Sequence, residues 1–284
     1  MKTLFSLLFL SIFFVTVSCN PDSKVDKIVK EVRDAHSNTV IVAAHRAAHN
    51  GHPENSLSAA QHAIDLGLDI IEVDLKVSTD GVPFLMHDRT IDRTTTGHGD
   101  PESFTWAELQ QFHLKMRDGT VTEEKIPAFE DILNLVRGKV MVDIDIKTSR
   151  LKPIADVVAK TDCQNQVIYF DDDYESLKQV LSYDLNAMVM PRAYSYEMAD
   201  SALQIFKPVA IHIDSKFYSP ELTKLIRDHD ARVWINALGD GDALIVDGKT
   251  DEAIKELTKY QANMIQTNQP KKVLEYLRSN GLHQ

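Results

Sequence analysis

His45 and Arg46 follow the apolar run 40–44, which predicts a strand ending in a side chain that titrates near neutral pH beside a guanidinium fork suited to phosphate oxygens. Glu72 and Asp74 lie two apart among Ile70, Ile71, Val73 and Leu75, so a strand would turn both carboxylates to one face. Asp143, Asp145 and Lys147 repeat the device. Carboxylates on an inner strand face need a counter-charge, because an unpaired buried one is costly. Oxygen donors from two strands, with no cysteine among them, suit a hard ion such as Mg2+ or Ca2+. Internal salt bridges of Lys147 with Asp143 or Glu72 would meet the same need. Trp234 and Asn236 share a face at another strand's end and are expected to line a pocket. His49 and His52 fall in a loop, where solvent exposure is expected.

These residues need elements to bring them together. Short β-rich runs at 40–44, 69–75, 140–146, 166–170, 186–190, 209–213, 232–235 and 263–266 alternate with helix-like segments such as 56–66, 175–182, 220–229 and 251–260. Eight runs separated by amphipathic helices predict an α/β fold, a (β/α)8 TIM barrel; a doubly wound sheet would show a similar alternation. A ninth run, 83–87, follows Asp80-Gly81 too closely for a parallel crossover, so it should fold back as an edge hairpin. A two-residue turn would face Thr79 with Val82 and set Asp74 opposite His87. The Asp- and Gly-rich stretch 239–248 reads as a mobile loop at the same rim, and Asp171-Asp172-Asp173 as a helix N-cap cluster.

Lys2 and the apolar stretch 4–17 read as a signal peptide over residues 1–18, too short to span a bilayer comfortably. Thr16-Val17-Ser18-Cys19 is similar to a bacterial lipobox, so Cys19 is expected to carry lipid. Residues 19–38 would then be tether and the start of a first helix, and residues 39–284 the barrel domain, exported to the cell envelope and touching the membrane only through that lipid. Cys163 is the other cysteine, so the domain must hold by packing, for which a 43% hydrophobic composition is ample. A formal net charge of −11 excludes nucleic acid as a partner. Any phosphate chemistry must be local, on a small molecule in a cation-rich pocket.

In order and spacing, His45-Arg46, Pro53-Glu54-Asn55-Ser56, Glu72-Val73-Asp74, Asp80-Gly81-Val82-Pro83 and His87-Asp88 resemble the glycerophosphodiester phosphodiesterases. Arg93-Thr94-Thr95-Thr96-Gly97, Ile144-Asp145-Ile146-Lys147, Val233-Trp234-Ile235-Asn236 and Ile265-Gln266-Thr267-Asn268-Gln269-Pro270 extend the likeness over residues 40–272. The resemblance implies a PLC-like TIM-barrel phosphoric diester hydrolase with His45 and His87 as general acid and base, their assignment open. It also implies one divalent cation, Mg2+ or Ca2+, on Glu72, Asp74 and Asp145. Arg46 and Lys147 match phosphate-contacting cations, and Glu54 the acidic residue of its block. The implied reaction releases glycerol 3-phosphate and an alcohol, with water or the glycerol 2-hydroxyl as nucleophile. Another phosphodiester, inositol- or polymer-linked, or a ligand-binding barrel with little turnover are the alternatives; retention of both histidines speaks against the last.

Several positions depart from the family pattern. Ala47 replaces the usual glycine after His-Arg, and the segment with His49 and His52 implies a different path for the loop over the phosphate. Asp145 stands for the usual Glu. Tyr169 stands near the usual serine, and Asn268 replaces an Asp but can still cap the final helix.

Overall fold

The computed structural model describes residues 23–283; the expected signal peptide and Cys19 lie outside the described residues. Eleven strands occur among these: β1 Ile41–Ala44, β2 Ile70–Val77, β3 Pro83–Leu85, β4 His113–Lys115, β5 Val121–Lys125, β6 Met141–Ile146, β7 Val167–Asp171, β8 Met188–Ala193, β9 Ala210–Ile213, β10 Arg232–Asn236 and β11 Met264–Thr267. Eight of them, in the order β1-β2-β6-β7-β8-β9-β10-β11, are joined in parallel, and β11 pairs with β1 to close the barrel. The (β/α)8 expectation therefore holds, and the doubly wound sheet does not.

Strand alternation divides the apolar residues into two layers. Val42, Ile71, Val73, Val142, Ile144, Val233 and Ile265 face outward against the ring of helices. Ile41, Ala43, Ile70, Met141, Ile168, Met188, Met190, Trp234 and Met264 fill the barrel interior. Helix α1 (Lys24–Arg33) starts on a capping box formed by Ser23 and Asp26. It sets Val25, Ile28 and Val32 against that interior layer, so the first helix expected after the tether is a plug in the barrel floor. Arg232, fully buried, fastens the plug by donating to Glu31 O and Thr39 O.

The hairpin forms with a different register. Ser78 N donates to Val82 O and Gly81 N to Ser78 O, making Thr79-Asp80-Gly81 a three-residue connection with Gly81 at φ 89°. Leu75 consequently pairs with Leu85, and Met86, not His87, stands opposite Asp74. One extra loop residue thus carries His87 past the end of the pairing. The following segment builds a small core of its own from Phe84, Met86, Ile91, Leu109, Leu114 and Ile126, beside the antiparallel pair β4–β5. Gly97 is required there, since a Cβ would lie 2.6 Å from Ile91 Cδ1. The stretch 239–248 is also corrected: Asp240–Val246 is a helix, and Asp242 within it is buried. Asp173 caps its helix as expected.

Candidate active site

Seven of the predicted site residues meet at one cavity of 290 Å3 at the C-terminal end of the barrel. His45, Arg46, Glu72, His87, Asp145, Lys147 and Asn236 line it. A wider groove of 550 Å3, bounded by His36, Lys224, Arg227 and Tyr260, holds none of the carboxylates.

His45 is fixed by a chain of bonds. Asn268 Nδ2 and its own backbone N–H both donate to Asp242 Oδ2, at 2.9 Å each, which orients the amide. Asn268 Oδ1 must then accept, and it meets His45 Nδ1 at 2.9 Å and His49 Nε2 at 3.0 Å. The His45 proton therefore sits on Nδ1, leaving the Nε2 lone pair toward the cavity, 4.0 Å from Glu72 Oε2. Burial lowers the imidazole to about 4 despite the bond to Asn268. Two expectations change here. Asn268 supports His45 and makes no side-chain cap on the final helix, and His49 is partly buried and bonded where open exposure was expected. His52 packs on His62, with ring centres 5.0 Å apart, and does not line the cavity.

His87 is held from the other side. Asp88 Oδ1 lies 2.7 Å from its Nδ1, and Arg93 grips the same carboxylate through Nε at 2.7 Å. Hydrogen bonds from Arg93 and His87 outweigh partial burial and hold Asp88 down at about 2. Arg93 also forks onto both oxygens of Glu54, whose Oε1 accepts from Arg46 Nη1 at 2.8 Å. Burial would raise Glu54, but Arg93 and Arg46 overcome it and bring it to about 2. Glu54 thus anchors two guanidiniums rather than lining the cavity. Arg93, to which the sequence assigned no role, is the joint between the His87 and Arg46 halves of the site.

The acidic set is strongly overcharged. Glu72, Asp74 and Asp143 are buried and Asp145 is largely so. Against them stand Lys147, 2.7 Å from Asp145 and 3.8 Å from Asp74, and Arg46, whose Nε is 3.5 Å from Asp74. Burial first, then the neighbouring carboxylates, push Glu72 and Asp143 well above the usual range, and Asp145 to about 7. Asn55 Nδ2 donates to Asp74 Oδ2, and Arg46 N and Gln266 Nε2 to Glu72 Oε2, leaving Asp74 Oδ1 and Glu72 Oε1 buried without a hydrogen-bond partner. One oxygen from each of Glu72, Asp74 and Asp145 lies within 4.8 Å of the others. Orphaned, buried, hard donors in this number fit a divalent cation.

Backbone strain assists the arrangement. Arg46 and Ala47 both adopt left-handed φ, 50° and 61°, turning the Arg46 N–H onto Glu72 Oε2 at 2.7 Å and the Ala47 N–H onto Glu72 O at 2.9 Å. Ala47 keeps the conformation in which glycine is free of strain, at about 1–2 kcal/mol.

Trp234, expected to line the cavity with Asn236, is fully buried in the interior layer below it, and its Nε1 donates to Asn236 Oδ1 at 3.1 Å. Its place on the strand is one residue pair too deep to reach the opening. The far wall instead comes from Phe170, Arg192, His212, Leu238 and Gln266. Counting by two from the interior residues Met190 and Ala210 reaches Arg192 and His212, a signal the sequence held. Burial first, and then Arg192, push His212 well below the usual imidazole range, and neither of its ring nitrogens has a partner. Tyr169 faces outward into the helix layer, so its departure from the family serine leaves the cavity untouched.

Residues 45–193 match the glycerophosphoryl diester phosphodiesterase family. A glycerophosphodiester phosphodiesterase of Caldanaerobacter subterraneus is 36% identical over 110 residues, 38% of this chain and 45% of that protein, so the likeness spans less than half the length of this curated relative. In fold, a crystal structure of a glycerophosphoryl diester phosphodiesterase from Parabacteroides distasonis matches with a TM-score of 0.77 and 23% identity, covering 90% of this chain and 92% of the other. An Oleispira antarctica phosphodiesterase in complex with sn-glycerol-3-phosphate matches with a TM-score of 0.72 and 20% identity, over 86% and 99%. The His-Arg pair, the carboxylates and His87 all fall within the matched segment, and the chain belongs to the glycerophosphoryl diester phosphodiesterase family.

Proposed function

We propose that this protein hydrolyses glycerophosphodiesters to glycerol 3-phosphate and an alcohol, with the help of one divalent cation. The observation that carries the reading is a pair of imidazoles, each held at Nδ1 by an oxygen, on the rim of a cavity beside three clustered carboxylates and lined by the cations Arg46, Lys147 and Arg192. Glu72, Asp74 and Asp145 would hold Mg2+ or Ca2+, which supplies charge neutralisation for a phosphodiester and its attacking oxygen. Arg46 and Lys147 offset charge that grows on the non-bridging oxygens. His45, neutral and with Nε2 open, takes the proton from the attacking hydroxyl. His87, held at Nδ1 by the Asp88 carboxylate, returns one to the leaving alkoxide. Each proton transfer is worth about 100- to 10,000-fold in rate.

The test is turnover of a panel of glycerophosphodiesters by the protein with Mg2+, with Ca2+ and with EDTA. Product release that EDTA abolishes and that His45→Ala and His87→Ala each lower by at least about 100-fold supports the reading. No turnover of any diester sinks it. A transient cyclic phosphate, sought by phosphorus NMR, separates attack by the glycerol 2-hydroxyl from attack by water. The proposal extends to export with lipid on Cys19, supported by Thr16-Val17-Ser18 before it and tested by the mass of the mature N-terminal peptide.

A further inference from the structure

A second pocket, of 410 Å3, opens beside the cavity and shares His87 and Lys147 with it. Lys76, Asp88 and Arg89 complete its lining. Lys76 continues the inward row of Glu72 and Asp74 on β2, just as Lys147 crowns Asp143 and Asp145, yet the two lysines differ in their partners. Lys147 is paired with Asp145 and Asp74. Lys76 is only 8% exposed and, among the described residues, pairs with no carboxylate; its Nζ donates to Lys147 O at 3.2 Å and has two further donors unused. Arg89 makes no ion pair or hydrogen bond among the described residues either. The acid in the pocket, Asp88, is already engaged by Arg93 and His87. The pocket therefore carries two uncompensated cations, one of them nine-tenths buried, in a chain whose formal net charge is −11.

We propose that Lys76 and Arg89 form a second anion subsite next to the scissile phosphate, selecting diesters whose alcohol bears a further negative group, a carboxylate or a second phosphate. This rests on the diesterase reading above. The shared side chain explains the placement: His87 faces both pockets, so an alcohol leaving from beside it departs through the Lys76–Arg89 opening. A buried ammonium without an acid partner gains most from a ligand that brings the charge with it, and cationic alcohols meet like-charge repulsion there.

The experiment compares glycerophosphocholine, glycerophosphoglycerol, a glycerophosphodiester of glycerate and a glycerol phosphate dimer ending in a phosphate, with cationic, uncharged, carboxylate and phosphate-bearing alcohols. The metal-loaded protein should favour the two anionic alcohols over choline by about tenfold or more in kcat/KM. That preference should fall at least about fivefold in Arg89→Gln and in Lys76→Gln. Arg89 is exposed, so its variant keeps the test decisive if Lys76→Gln does not fold. Choline diesters cleaved as well as the anionic ones, or variants that slow all four alike, overturn the subsite. Calorimetric binding of the same compounds to the His45→Ala protein separates this idea from the reaction itself. Selective binding without turnover by the wild type keeps the subsite and sinks the reaction, and unselective binding sinks the subsite whatever the turnover.

Discussion

His45 and Asn268, 223 residues apart in the chain, are joined by a 2.9 Å bond that only one tautomer of the imidazole can make. An amide suits the position because it accepts from His45 while donating to Asp242. A carboxylate there would meet Asp242 as a like charge.

Asn268→Asp should accordingly raise the proton affinity of His45. In its proposed role as base His45 must be neutral to act, so activity should be lost as pH falls through its pKa, about 4 in the wild type. The acid limb of kcat/KM should move up by about one unit or more, with a lower melting midpoint from the lost Asp242 bond. A pH–rate profile that superimposes on the wild type would remove Asn268 from the account of His45.

The metal-free protein should have an unusual pH dependence of stability. Asp145 is raised to about 7, and Glu72 and Asp143 well above their usual range, so these carboxyls hold protons in the folded state that the unfolded chain has released. Such stability is present at low pH and lost as pH rises through the folded value. In EDTA the melting midpoint should fall between about pH 6.5 and 8.5, above the range in which the depressed His45 and His212 act in the opposite sense. Asp145→Asn should flatten this slope, and saturating Mg2+ or Ca2+ should abolish it. A midpoint that rises over this window in EDTA would contradict the charge balance described.

Arg93→Ala should cost about 10- to 100-fold in kcat/KM with little change in circular dichroism, because it frees both Glu54 and Asp88 and lets Arg46 and His87 drift. Arg93→Lys should rescue little of this, since an ammonium lacks the fork that spans two carboxylates. Full activity in either variant would show that the link carries no positioning role.

Arg232→Met should lower unfolding free energy by about 3–5 kcal/mol, through backbone carbonyls left without their donor at the barrel floor. Denaturant titration reads this, and kcat should change little, because the site lies at the strands' other end.

The barrel and its inward carboxylates were legible because period-two alternation and strand count are local signals. Glu72, Asp74 and Asp145 needed only their spacing to be placed on the inner face of two strands, which turn out to be neighbours in the sheet. The hairpin register was not legible, since Asp80-Gly81 fits a two- or a three-residue connection equally well, and one residue decides whether Met86 or His87 faces Asp74. Asn268 and Arg93 were visible as motif members but not as supports, because their partners, Asp242 and Glu54, lie 26 and 39 residues away. Trp234 misled because alternation reveals which face a residue takes and says nothing of its depth along the barrel axis.

Helix α1 closes the floor of the barrel, so the chain enters the described fold at Ser23 on the end opposite His45 and His87. An attachment made through the preceding residues would hold the molecule by its base and aim the mouth away from the supporting surface. Such a pose favours capture of small solutes drifting past over extraction of lipids embedded beneath.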